Sequence, residues 1–114
     1  MPHASKPRGP TPPTLVLLVR HGKTATTGAT LPGRARGLHL SDDGRRQAEA
    51  VADRLGRLKQ VAAVYASPLE RARETADPIA RAHRLAVRVE PELNECDFGG
   101  WTGAALKALR RRPE

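Results

Sequence analysis

Arg20, His21 and Gly22 follow without a break on the aliphatic run Leu15-Val16-Leu17-Leu18-Val19. An imidazole can attack or relay protons near neutral pH, and a guanidinium grips oxyanions through paired donors, so the pair points to chemistry on an anion. Further along, Arg71 and Thr75 are four positions apart and share one face near the start of an expected helix, where free backbone amides already favour negative charge. Thr24, Thr26 and Thr27 add hydroxyls just after His21, among glycines and arginines that suit a phosphate-binding loop. A plain surface loop and an exposed helical arginine have the same composition, so each signal gains weight only beside the others.

Those residues need elements to hold them. The run from Leu15 to Val19 is long enough for a strand buried on both faces and too short for an ordinary helix. Arg20 and His21 would then sit at its carboxyl end, the edge where ligands bind in open α/β sheets. Thr24 to His39 reads as a loop over that edge. Ser41 is a good N-cap with Asp42 and Asp43 behind it, and Ala48, Val51, Ala52, Leu55 and Leu58 form a helical stripe facing the sheet. Arg45, Arg46, Arg54 and Arg57 fall on the solvated face of that helix. Val61 to Tyr65 is a second strand, and Ser67 with Pro68 opens a second helix that Pro78 should kink or shorten. Leu85 to Val89 is a third strand, near an edge because Arg88 needs water. His83 suits a helix end, His39 is a loop residue, and Thr102 to Arg112 is a last helix.

The chain has 114 residues, enough for one domain, and only 3% are aromatic, so the core must come from Leu, Val, Ile and Ala. Twenty Lys and Arg against twelve Asp and Glu give +8, which favours phosphorylated metabolites, nucleic acid or acidic membranes as partners. The arginines are scattered through expected helices, so a solvated basic surface is the competing explanation. With no aromatic stacking platform and no DNA-binding motif, nucleic acid is disfavoured. A single cysteine, Cys96, excludes an internal disulfide framework. No apolar run reaches the roughly 18 residues of a membrane span, and no leader core is visible, so the expected setting is cytoplasmic with no membrane partner. Residues 1–13, with five prolines, read as a disordered tail in which His3 has nothing to orient it.

Three segments in order, Leu15 to Thr24, Ser67-Pro68-Leu69-Glu70-Arg71-Ala72-Arg73-Glu74-Thr75-Ala76 and Pro91 to Gly103, resemble the histidine phosphatase superfamily. Leu40 to Ala48 matches it as well, and the likeness is to the phosphoglycerate mutase-like enzymes, in particular an actinobacterial phosphatase or phosphomutase branch. The resemblance implies a three-layer α/β/α fold with a mostly parallel sheet, of which residues 14–114 are an amino-terminal portion. It implies His21 as a nucleophile that becomes a phosphohistidine, and Arg20 and Arg71 as the clamp on the nonbridging oxygens. It makes Glu95, in Leu93-Asn94-Glu95, the acid for the leaving oxygen, with Glu92 a surface carboxylate outside the match. Thr24 and Thr27 would add phosphate contacts, with Thr75 in support. Phe98 and Trp101 would anchor the loop, and Cys96 is a packing residue. No metal or cofactor is implied, and no cluster with metal-ligand spacing is present in the sequence.

Two departures qualify that likeness. The family places an Asn shortly after Arg-His-Gly, where this chain has Thr26 and Thr27. It also supplies a second catalytic histidine in a later His-Gly pair, whereas here only His21 precedes a glycine. The expectation is therefore a truncated phosphomonoester hydrolase or phosphomutase acting on a phosphorylated small molecule. The alternative is a catalytically dead anion- or nucleotide-binding module that keeps the arginine clamp. A homodimer or a complementing chain could supply what is missing.

Overall fold

Ser41 opens the first helix as its sequence predicts: its hydroxyl accepts the Gly44 amide at 3.1 Å, and Asp42 and Asp43 follow in the first turn. This helix, α1, spans Asp42–Leu55 in a computed structural model that describes residues 12–95, 97, 99 and 102–106. A short strand, β1 (Val64–Ala66), leads into the second helix, α2 (Glu70–Ala82), which returns the chain to β2 (Val87–Val89). The two strands pair in parallel with Val64 opposite Val87, a geometry that requires a crossover, and α2 is that crossover.

Among the described residues, the buried apolar ones are Leu40, Ala48, Ala52, Ala66, Leu69, Ala76, Ile79 and Ala80. Alanines predominate, so α1 and α2 approach closely while little apolar area leaves water, and the largest fully buried side chain is the cation Arg71. The far face of the sheet carries Tyr65 and Arg88, opposite each other in register and both exposed, with the guanidinium 5.8 Å from the ring centroid. Arg88 thus finds the water expected of an edge strand.

Several local expectations are corrected. Ser67 does not cap α2; its hydroxyl accepts the Leu69 amide at 3.3 Å, and the helix starts two residues beyond Pro68, behind Leu69 with no side-chain cap. Pro78 lies inside α2, which continues to Ala82: one amide donor is lost without ending the helix. His83 does sit at a helix end, but its Nε2 donates to the last carbonyl of the neighbouring helix, Leu55, at 2.8 Å. Thr102 and Gly103 form a turn and Ala105 bridges Thr30, so this part of the expected last helix is not helical, and the rest falls outside the described residues beyond Leu106.

The largest correction concerns Leu15 to Val19. These residues form no strand; Leu15 is 78% exposed and Leu18 93%. A strand buried on both faces needs ladder partners on both edges, and the only two strands among the described residues pair with each other. No helix among the described residues is long and apolar enough to cross a membrane. Most of the expected tail, residues 1–11, lies outside the described residues, as do Cys96, Phe98 and Trp101.

Candidate active site

Although residues 15–19 form no strand, the segment after them is docked at Gly22 and Lys23. Lys23 O accepts the Ser41 amide at 2.8 Å and the Ser41 hydroxyl at 3.1 Å, and the Lys23 amide donates to Gln47 Oε1 at 2.9 Å. Gly22 lies so near the start of α1 that a Cβ there would meet the Gly44 carbonyl oxygen at 2.5 Å, and a Cβ on Gly44 would meet Lys23 O. Both glycines are therefore required by close backbone approach. The buried Gly22 amide donates to Thr75 Oγ1 at 3.1 Å, and that hydroxyl donates to Arg71 O at 2.8 Å. One hydroxyl thus joins the residue after His21 to the backbone of Arg71.

His21 is half-buried, with Nδ1 2.7 Å from the Gly22 carbonyl oxygen. A carbonyl can only accept, so this hydrogen bond places a proton on Nδ1 and makes Nε2 the nitrogen that carries the lone pair in the neutral ring.

The loop from Gly22 to Leu40 is fastened along one face of α2 at four residues, Glu70, Arg71, Glu74 and Thr75. Thr75 takes the Gly22 amide; Glu74 takes the Leu40 amide at 2.8 Å and His39 Nδ1 at 2.5 Å; Glu70 takes the Gly37 amide at 3.1 Å. Arg71 donates from Nη2 to Gly33 O at 2.5 Å and from Nη1 to Ala35 O at 3.2 Å. Gly33, at φ +52°, supplies the left-handed conformation of this turn. Burial works against ionised Glu74, but the Leu40 amide, His39 and Arg45 outweigh it and hold its carboxyl below the usual range. Glu70 is lowered too, by its own backbone amide and that of Gly37.

Arg34, between the two carbonyls held by Arg71, donates from Nε to Glu95 O at 2.6 Å. The loop therefore ties the Arg71 helix to the segment carrying Glu95. Thr24 is buried and bridges Leu40; its amide donates to Thr27 Oγ1 at 2.8 Å, and the two hydroxyls are 3.1 Å apart, closing a turn. Arg20 is exposed and makes no hydrogen bond or ion pair among the described residues. Thr75 thus links the residue after His21 to the Arg71 backbone, and Arg34 links the loop to the Glu95 backbone, while Thr24 and Thr27 pair with each other. Glu70, Glu74, Arg34 and His39 were missed as loop fasteners. Their signal was the helical phase: 70 and 74 flank 71 and 75 on the same α2 face.

A groove of about 750 Å³ between α1, α2 and β2 is lined by His39, Arg45, Glu49, Glu74, Arg81 and Val87 among others, and by none of His21, Arg20 or Glu95. Its charges are mixed and partly paired, with Arg81 3.0 Å from Asp77 and 3.6 Å from Glu49. No group of three or more His, Cys, Asp and Glu among the described residues could hold a metal ion.

Known proteins share this arrangement of motifs. The uncharacterised protein Rv0525 of Mycobacterium tuberculosis is 51% identical over 82 residues, covering 72% of this chain and 40% of that protein. The metal-independent phosphoserine phosphatase of Arabidopsis thaliana is 38% identical over 106 residues, covering 89% and 43%. The native structure of the mycobacterial glucosyl-3-phosphoglycerate phosphatase Rv2419c superposes with a TM-score of 0.71 at 33% identity, over 78% of this chain and 42% of that one. The chain spans less than half the length of each, and its architecture is the phosphoglycerate mutase-like α/β fold. The profile of the histidine phosphatase superfamily (branch 1) matches residues 16–114, and the chain belongs to that family.

Proposed function

We propose that this chain carries the nucleophile and clamp of a phosphomonoester hydrolase or mutase that works through a phosphohistidine. The observation that carries the reading is the His21 hydrogen bond: Nδ1 is committed to the Gly22 carbonyl, so in the neutral ring Nε2 is the nitrogen available for in-line attack. The Nε2–P bond forms as the P–O ester bond breaks, and the leaving alkoxide takes a proton from the carboxylic acid of Glu95. Water then attacks phosphorus, gives its proton to the Glu95 carboxylate, and releases inorganic phosphate and free His21. Arg20 and Arg71 hold the nonbridging oxygens, with Thr24 and Thr27 in the same shell. The names of two relatives, a phosphoserine phosphatase and a glucosyl-3-phosphoglycerate phosphatase, support a small phosphorylated metabolite as substrate. A cytoplasmic setting fits such a substrate.

A second reading is favoured by one sequence fact: His21 is the only histidine followed by glycine. On that reading the chain binds an anion through the clamp without turning it over, or turns it over only when a second copy or a complementing chain supplies the missing group. Incubation with phosphate-labelled phosphoserine, quenched at neutral or alkaline pH because phosphohistidine is acid-labile, separates the two. Retained label that disappears in His21→Ala supports the enzyme. Phosphate binding with no label in the wild-type chain supports the binding module.

A further inference from the structure

Arg71 is 1% exposed, and its guanidinium is already occupied by two carbonyls of the loop above it, Gly33 O and Ala35 O. A buried guanidinium without acceptors would be costly, so these carbonyls satisfy it when no anion is present. These bonds use two of the five N–H donors, one on each terminal nitrogen, and a phosphate gripped in the Nη1–Nη2 fork would compete for them. An ionised acceptor bonds a guanidinium about twice as strongly as a neutral carbonyl, whereas the carbonyls can turn to water at little loss. From this competition for one set of donors we infer that the turn at residues 32–36 is a latch that anion binding releases. The inference rests on the phosphate-gripping role proposed for Arg71.

The extent of the movement is bounded by the remaining contacts. On one side, Leu31 is held by Ala104 and Gly103, its amide donating at 2.9 Å and its carbonyl accepting at 2.7 Å. On the other, Gly37 and Leu40 are held by Glu70 and Glu74. Between these anchors the turn is closed by the Ala35 amide on Pro32 O at 2.8 Å and by the two bonds to Arg71. The release therefore stays local. Arg34 rides on this turn with its Nε on the Glu95 carbonyl, so the exchange at Arg71 is transmitted to the segment that carries the proposed acid. Arrival of the dianion and loosening of the Arg34 bond to the Glu95 carbonyl become one event.

Hydrogen exchange on the full chain, with and without inorganic phosphate, tests this. Phosphate should speed exchange of the Ala35 amide roughly tenfold while α1 amides stay unchanged. Arg71→Ala should give the same acceleration without phosphate, and phosphate should then add nothing; protected α1 amides show that this variant is folded. Arg34→Ala should keep the phosphate effect at Ala35 and lose it at Asn94 and Glu95. An Ala35 amide that is unchanged or slowed by phosphate overturns the latch, as does an Arg71→Ala variant with intact α1 and wild-type exchange at Ala35. The His21 imidazole resonances, followed in the same titration, report the proposed function separately. If they respond while Ala35 does not, the latch fails and the phosphate site stands; the reverse pattern removes His21 and keeps the latch.

Discussion

Thr75 Oγ1 sets the spacing between the proposed nucleophile and its clamp, because it accepts from Gly22 and donates to Arg71 O at once. Thr75→Val keeps the volume and removes the acceptor, leaving a buried amide unpaired, a loss of about 1–3 kcal/mol. Chemical denaturation should show that loss, and Thr75→Ser should recover most of it. If valine were as stable as threonine, the bond to Gly22 would not be holding the turn. The glycines carry a parallel message. Gly22 and Gly44 are the glycines of Arg-His-Gly and of Leu-Ser-Asp-Asp-Gly, and in space they lie against each other, which a one-dimensional pattern does not reveal. Each motif is recognisable by itself; only the fold shows that one is the seat of the other.

At the scale of elements, α2 is the template for the site, since residues 70, 71, 74 and 75 fasten the loop from Gly22 to Leu40. Two of these fasteners titrate. Glu74 releases its proton at lower pH when folded than when unfolded, so the stability it gives is full above the ordinary glutamate range and lost as the pH falls through the lowered value. The groups facing it are His39, Arg45 and the Leu40 amide. Urea unfolding between about pH 3 and about pH 7 should show stability rising with pH on the acid limb, and Glu74→Gln should remove part of the rise, Glu70 supplying more. A wild-type acid limb in the Gln variant would mean that the carboxylate does not hold the loop. The far end of α2 offers an independent check. Arg84 has φ +56°, with its amide on Arg81 O and the Leu85 amide on Ala80 O, a helix stop that favours glycine. Arg84→Gly should stabilise the chain by about 0.5–1 kcal/mol, measured as a raised Tm. Part of these elements was legible in the sequence: Ser41, Ala48 and Ala52 and the Arg71–Thr75 face emerge where periodicity and capping put them, whereas Leu58 of the expected stripe lies beyond α1 and is exposed, and the stripe packs mainly on α2 rather than on the sheet. The start of α2 was not, because Ser67 and Pro68 fit a cap-and-first-turn pattern that the chain uses as a turn before Leu69. Nor was the Arg71 contact with the loop, since carbonyls at Gly33 and Ala35 leave no trace in side-chain identity.

For the molecule as a whole, the apolar side chains among the described residues divide between a small interior and an exposed run. Ala48, Ala52, Ala76 and Ala80 fill the interior, while the five aliphatic side chains from Leu15 to Val19 face water with exposures from 43% to 93%. The sequence reads that run as a buried strand and the structure does not make it one, because burial of a strand depends on tertiary partners that side-chain identity does not reveal. An unpaired apolar strand is a template for pairing with another chain. Leu18→Lys separates the two states of this segment. If Leu18 is as exposed as the structure has it, lysine there changes the stability of the single chain by no more than about 0.5 kcal/mol. Association is another matter, because a charge on a strand that must be covered blocks its burial. Sedimentation over a range of concentrations should show the wild-type chain self-associating and Leu18→Lys remaining monomeric, with Tm unchanged at low concentration. A Tm lowered by many degrees in the monomer would instead mean that the segment is packed within its own chain, as the sequence alone led one to expect.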